Sequence, residues 1–357
     1  MSKKHNFYAG PAILPETVLA QSAEAIRNFA DMGLSLLEIS HRSKQFEAVM
    51  DESRSLVRQL LGIDEDYEVM FLTGGASTQF FMIPMNLLRE NESASYVNTG
   101  TWASLAIKEA KLFGQINVLA SSEEDQFRYI PKGFSIPEDS AYLHITSNNT
   151  IYGSQYHHFP ESPVPLVCDM SSDIFSRRLN ASKFSLIYAG AQKNMGPAGV
   201  TLVVIRKDML GRSGRKLPTM LDYRTHADKG SMYNTPPVFP IYVSMLTMRW
   251  ILNSGGIEAI EARNREKAEL LYAEIDRNSC FEGTVKKEDR SWMNVVFVPT
   301  KAEWENQFLE ECKKNACVGL AGHRSVGGFR ASLYNALDIS SVKVLVETMR
   351  EFEKKYA

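Results

Sequence analysis

A chain of 357 residues with 44% hydrophobic and 23% charged side chains has an ordinary globular composition, and it is long enough for two domains or one large domain with a smaller lobe. A formal net charge of −2 supplies no broad field to hold nucleic acid or anionic lipid, so any anion must be gripped by local clusters. Cys168, Cys280, Cys312 and Cys317 form no CxxC pair and no metal-ligand spacing, which argues against a disulfide framework or a zinc site; with no apolar leader and no apolar run of about 20 residues, the expected setting is the cytoplasm.

Residues 1–15 read as an irregular arm punctuated by Gly10 and Pro11. Pro15-Glu16 opens a helix whose apolar positions Val18, Ile26 and Phe29 keep a helical period, and which gives out near Gly33. The basic pause His41-Arg42-Ser43 precedes a second amphipathic helix through Phe46, Val49, Met50, Val57, Leu60 and Leu61. Taken alone, His41 and Arg42 are solvated helix-entry cations.

Residues 67–72 read as a strand, and the turn Thr73-Gly74-Gly75-Ala76-Ser77-Thr78 leads into a helix from Gln79. A glycine-rich strand-to-helix turn presents free backbone N–H groups and suits a phosphate, although neither the Walker signature nor the dinucleotide fingerprint is present. A strand over 94–97 runs into Asn98-Thr99-Gly100-Thr101-Trp102, which places an indole just past a strand end. Further strands over 116–119, 141–145 and 164–168 lead to Thr150 and Asp169. Two apolar runs, 185–188 and 200–205, flank a small-residue loop carrying Lys193; so short a connection requires those two strands to be antiparallel. Strands alternating with helices make an α/β fold with a mostly parallel sheet, whose strand C-terminal ends share one edge where ligands bind. That rule gathers Ser77, Trp102, Thr150, Asp169 and Lys193 at one place.

An amine, a carboxylate, an aromatic plate and a nest of N–H and hydroxyl groups are the parts that pyridoxal 5′-phosphate requires. The lysine links to its aldehyde, and the carboxylate keeps its ring nitrogen protonated, so that the ring accepts electron density.

The motifs 6–12, His41-Arg42-Ser43, 74–80, 98–102, 148–153, 191–199, Asn234-Thr235-Pro236-Pro237 and 322–335 stand in the order of one family. On them residues 6–335 resemble the class V, fold type I family of pyridoxal-phosphate-dependent aminotransferases. The resemblance implies a large domain, 16–255, with a mixed, mostly parallel seven-stranded sheet, a smaller C-terminal α+β lobe, 256–357, and an arm, 1–15, packing with that lobe. It implies that Lys193 carries the cofactor, Asp169 faces the ring nitrogen and Trp102 stacks, with Ala76, Ser77, Thr150 and Gln192 around them. Asn234 and Thr235 then reach the cofactor phosphate of a neighbouring subunit, which makes the protein a homodimer. Some members carry an arginine where this chain has Ser77, so a substrate contact from that arginine is absent here.

Beyond the lysine, the basic stretch 206–230 with Arg212, Arg215 and Arg224 reads as solvent-facing. A short apolar helix over 243–252 stops at Gly255-Gly256, and a long amphipathic helix from Ile257 bridges to the second half. There a strand over 293–298 precedes Thr300-Lys301-Ala302-Glu303, a capping-box pattern opening a helix to Lys314. A strand over 329–334 follows, and a closing helix has Ser340 or Ser341 as N-cap and Leu345, Met349, Phe352 and Tyr356 on its core face. Arg330 offers the guanidinium fork that suits a substrate carboxylate.

By the resemblance, Arg330 binds the α-carboxylate, while His41, Arg42, His323 and Arg324 form a pocket for a second anionic group. The implied reaction moves the amino group of glutamate to phosphohydroxypyruvate, and the same pocket also takes a phosphorylated hydroxythreonine precursor. Two rivals stand beside this reading. A cysteine desulfurase needs a nucleophilic cysteine on a mobile loop and a histidine before the lysine, where this chain has Gln192 and where Cys317 reads as buried. A non-catalytic phosphate-binding α/β protein would use only the Gly74-Gly75 turn.

Overall fold

The computed structural model describes residues 4–357, so the first three residues of the arm lie outside the described residues. The arm is not wholly irregular: β1 (His5–Asn6) is a two-residue strand in parallel register with Cys317 and Val318, and Phe7 is fully buried. Helix α1 (Glu16–Arg27) stops six residues short of Gly33. Asn28 is extended, its Oδ1 accepts from Gly33 N at 2.9 Å, and Ala30 and Asp31 take left-handed backbone, so a closed loop replaces the last expected turn. Helix α2 (Lys44–Leu61) begins where Ser43 Oγ accepts from Phe46 N and ends on left-handed Gly62.

The main sheet is built from β2 (Tyr67–Leu72), β3 (Ser93–Asn98), β4 (Gln115–Ser121), β5 (Leu143–Thr146), β6 (Leu166–Asp169), β7 (Leu186–Gly190) and β8 (Thr201–Arg206). Its order is β2-β8-β7-β6-β5-β3-β4, with β8 antiparallel to both neighbours and the remaining pairs parallel. The mixed, mostly parallel seven-stranded sheet that the resemblance implies is therefore present, with β7 and β8 antiparallel as their short connection requires. Alternate residues feed two cores: Val69, Phe71, Ile187 and Leu202 join one face, Met70, Leu72, Leu186 and Val203 the other. Helices α3 (Gly75–Leu87) and α4 (Thr101–Ala110) cover the second face, and α2 covers the first.

The stretch after β8 corrects the solvent-facing reading of its arginines. Arg212 donates to Leu87 O and Glu92, and Arg215 donates to Leu88 O at 2.8 Å, so both clamp the free carbonyls at the end of α3. Arg224, in the first turn of α5 (Tyr223–Asp228), stays exposed and pairs with Asp222 at 2.6 Å.

Helix α6 (Val238–Asn253) packs on α2, and α7 (Gly256–Arg277) gives Ile260 to the first core and Ala268, Leu271 and Ile275 to a separate one. That separate core lies around β9 (Phe281–Gly283), β10 (Asn294–Pro299), α8 (Trp304–Lys314), β11 (Cys317–Val318), β12 (Phe329–Ser332) and α9 (Ile339–Tyr356), with strand order β12-β10-β9. Phe281, Phe297, Phe308, Phe329 and Phe352 interlock at its centre, and Phe7 of the arm joins them.

Two caps differ from expectation. Thr300 Oγ donates to Ser279 O at 3.0 Å instead of capping α8, which starts at Trp304 without a side-chain cap. Helix α9 is capped by Asp338, which accepts from Ser340 N at 2.8 Å; a carboxylate also complements the helix dipole better than a hydroxyl. Among the described residues no helix is long and apolar enough to cross a membrane.

Candidate active site

A cavity of about 320 Å³ opens at the C-terminal edge of the sheet, lined by Ser77, Trp102, Thr150, Asp169 and Lys193 together. Each reaches it for a local reason. Gly74 turns the chain at φ 94° and offers no side-chain cap, so the first N–H groups of α3, around Gly75, Ala76 and Ser77, remain open at the cavity wall. Trp102 sits in the first turn of α4. That turn comes so close to the loop after β5 that a Cβ on Gly100 would lie 2.6 Å from Asn149 Oδ1.

Asp169 ends β6 and is buried. Its Oδ1 accepts from Ser171 N at 2.9 Å and Ser171 Oγ at 2.6 Å, while Gly190 N donates to the same serine hydroxyl. Burial pushes its carboxyl pKa up, against the Ser171 bonds and the Lys193 charge.

Lys193 lies in the loop between β7 and β8, half-buried. The loop is pressed against α6 so closely that a Cβ on Gly196 would meet Ser244 Oγ at 2.3 Å. Lys193 Nζ donates to Thr150 Oγ1 at 2.7 Å and lies 5.9 Å from the centre of the Trp102 ring. Burial pulls its pKa from 10.5 to about 8, with Asp169 opposing the shift and Arg330 adding to it.

The second half of the chain supplies another wall. Arg330, on β12, donates to Thr150 O at 3.2 Å through Nη1, while its Nε is buried without a partner. His323 also lines the cavity, as do Ala76 and Gln192. Five named residues stand elsewhere: His41, Arg42, Asn234, Thr235 and Arg324 are not in the cavity wall of the single chain. Arg42, Asn234, Thr235 and Arg324 are exposed.

The cavity also takes residues that sequence reasoning did not single out. Ser171 and Ser172 come two and three residues after Asp169, Thr146 ends β5 and Asn148 lies two residues beyond it, and Ala9 and Gly10 come from the arm. Position just beyond a strand end was a usable signal for the first four. The arm lies in the motif 6–12, but periodicity and strand ends do not point it at the cavity; it arrives through its pairing with β11 and the bond from Ala12 N to Gln192 O at 2.9 Å.

These walls fit pyridoxal 5′-phosphate on their own chemistry. Open helix N–H groups suit a phosphate, an indole suits a flat ring, and a buried carboxylate suits a protonated ring nitrogen. Trp102 Nε1, Thr146 Oγ1 and Arg330 Nε are buried without partners on residues that line the cavity, so its polar capacity exceeds what the chain itself uses.

The aminotransferase class-V family model matches residues 4–345. The chain is 58% identical over 354 residues to the phosphoserine aminotransferase of Flavobacterium psychrophilum, covering 99% of each chain. It is 58% identical over 356 residues to that of Parabacteroides distasonis, covering 99% of this chain and 100% of the other. A solved phosphoserine aminotransferase from Bacillus circulans subsp. alkalophilus superposes with a TM-score of 0.97 at 46% identity, covering 99% of each. One with bound pyridoxal phosphate from Trichomonas vaginalis gives 0.93 at 37% identity, covering 98% of this chain and 100% of that one.

Proposed function

We propose, from the premise that this chain belongs to the aminotransferase class-V family, that it moves the amino group of L-glutamate to 3-phosphohydroxypyruvate, forming O-phospho-L-serine and 2-oxoglutarate. It is a pyridoxal-phosphate-dependent aminotransferase. The observation that carries the reading is the meeting of the Lys193 amine, the Asp169 carboxylate and the Arg330 guanidinium in one cavity. It stands in a chain matched end to end by relatives named for phosphoserine.

In this reading Gly75, Ala76 and Ser77 would hold the cofactor phosphate through the α3 N-terminus, Trp102 would cover the ring, and Asp169 would face its nitrogen. When bound, the cofactor supplies an electron sink for charge developing at the substrate Cα. Lys193 would hold the cofactor and, released by the incoming substrate amine, take the Cα proton on Nζ. Its lowered pKa leaves part of that amine neutral near physiological pH, as a base requires, and Thr150 Oγ1 orients it. Arg330, anchored at one Nη to Thr150 O, would bind the α-carboxylate that glutamate and phosphoserine share.

A homodimer completes the site in this reading. Asn234 and Thr235 are exposed on the segment that enters α6, so they are available to a neighbouring cavity; His41 and Arg42 would approach a second anionic group in the same manner. With His323 and Arg324 they would distinguish a phosphate or side-chain carboxylate from an uncharged end. Exposed Leu34, Leu37 and Tyr233 supply apolar surface for the contact. For this reading the chain divides into an arm, 1–15, a large domain, 16–255, and a small one, 256–357, supported by the two separate cores that α7 joins. The proposed setting is the cytoplasm, where four free, buried cysteines stay reduced. Their burial, and their absence from the cavity wall, also weigh against sulfur chemistry.

The test compares amino-group release from phosphoserine and from serine in single turnovers of the loaded enzyme. A preference of about a hundredfold or more for phosphoserine is expected, because a charge-assisted pocket discriminates by roughly 3 kcal/mol. Equal rates would remove the cationic pocket from the proposal. A native mass of twice the chain is expected alongside, and a monomer active at full rate would remove the shared site.

A further inference from the structure

A second lysine, far from the sequence motifs, is more deeply buried than Lys193. Lys267, in the middle of α7, is 1% exposed, and its Nζ donates to Leu333 O at 2.7 Å, Tyr334 O at 2.8 Å and Leu337 O at 3.0 Å. All three partners are carbonyls, so all three protons of an ammonium find acceptors. No carboxylate shares the bond set. Burial lowers its pKa to about 7, a shift that Asp338 opposes and Arg263 increases. Burying a cation is costly, and a core-facing helix position ordinarily takes an apolar residue. What the lysine provides, which no apolar residue can, is a fixed shape for the irregular turn 333–337.

That turn meets the cavity from several sides. Asn335 N donates to Asn194 Oδ1 at 3.0 Å, and Asn194 directly follows Lys193. Asn335 Nδ2 donates to Phe175 O at 2.9 Å, and Asn335 Oδ1 accepts from Asn264 on α7 at 2.8 Å. Asn194 also donates to Ser172 O at 3.1 Å, three residues past Asp169. Tyr334 OH donates to Ala9 O at 2.7 Å, on the arm residue that lines the cavity. The same turn leaves β12 immediately after the strand that carries Arg330. One buried side chain thus sits behind the lysine loop, the Asp169 loop, the arm and the carboxylate-binding strand.

We propose that Lys267 is a positioning residue: by tying down the turn 333–337 it sets the register between the Lys193 loop and the strand bearing Arg330. The inference rests on the transaminase reading of the cavity. It adds that alignment of the two catalytic walls is maintained from α7, through carbonyl groups and asparagines, with no contact between Lys267 and substrate.

The experiment measures steady-state kinetics of loaded Lys267→Met with glutamate and with phosphoserine, alone and in an Arg330→Leu background. Lys267→Met is expected to raise KM for both substrates by the same factor, about tenfold, the effect of a misplaced charged hydrogen bond. In the Arg330→Leu background it should raise KM no further, since the cycle then lacks the partner through which Lys267 acts. Lowered melting temperature with unchanged KM overturns the proposal, and so does an equal KM rise in both backgrounds. Should Lys267→Met not fold, Asn335→Ala decides: it leaves the lysine but cuts the turn from Phe175 and Asn264. A shared KM rise of about threefold is expected there, and an unchanged KM overturns the inference. Failure of the underlying reading is separate, because it would appear as an inactive wild-type chain.

Discussion

The loop between β7 and β8 leaves Lys193 a single acceptor, Thr150 Oγ1, beside an open cavity, whereas Lys267, buried in the middle of α7, meets three carbonyls of the turn 333–337. Burial lowers both lysines, one to about 8 and the other to about 7. A shifted pKa therefore does not distinguish them; the number of protons left without a fixed acceptor does. Lys193 has two such protons and a cavity in front of it, so it can react. Lys267 has none, so its chemistry is confined to holding the backbone. The difference shows that a low pKa marks a reactive lysine only when it comes with unused hydrogen-bonding capacity and access.

The largest expected effect breaks the pair apart in activity. Lys193→Ala should lower turnover by about a thousandfold or more while leaving the far-ultraviolet spectrum unchanged, since it removes the group proposed to transfer the proton. A comparable fall in turnover at unchanged KM for Lys267→Met would erase the distinction.

Stability should show the reverse order. Lys267→Met strands the carbonyls of Leu333 and Leu337, each costing about 1–3 kcal/mol, while Tyr334 O keeps its bond from Leu337 N, so urea unfolding of the cofactor-free chain should lose roughly 3 kcal/mol. Lys193→Met takes a charge out of a partly buried site and should be close to neutral. Equal losses in the two variants would mean that both lysines serve the fold alike.

Arg330→Leu sharpens the activity side. On the proposed role of its guanidinium in binding the carboxylate common to both amino acids, KM for glutamate and for phosphoserine should rise together by about thirtyfold, or roughly 2 kcal/mol. A rise for only one of them would assign Arg330 to the distal anionic group instead.

Much of the Lys193 region was legible in the sequence because it is local. Strand ends, a glycine-rich turn and a carboxylate at a strand end are marked within a few residues, and the sheet edge then assembles them. Features set by distant partners were not legible. A helical period runs through Phe29, yet the Asn28 side chain closes the loop and ends α1 at Arg27. Arg212 and Arg215 look like solvated charges until the carbonyls ending α3 come within reach. Lys267, between Glu266 and Ala268 on an amphipathic helix, reads as one more surface lysine. Its acceptors lie more than sixty residues away in sequence. His41, Arg42, Asn234 and Thr235 mark the other boundary: the motifs name them, but one chain does not bring them to its own cavity.

The smallest effect tests the electrostatics of Lys193 without turnover. In the cofactor-free chain, capture of added pyridoxal 5′-phosphate needs the neutral amine, whose fraction rises as pH passes the lysine's pKa. With that pKa lowered to about 8, the capture rate, followed by the absorbance of the bound aldehyde, should climb to about pH 8 and then level off. An ordinary lysine would keep climbing past pH 10. Asp169 holds the pKa up, so Asp169→Asn removes a charge that favours the ammonium and should shift the midpoint to lower pH. A midpoint that moves upward would show that Asp169 acts on Lys193 through the Ser171 hydrogen bonds and the loop they fix, not through its charge.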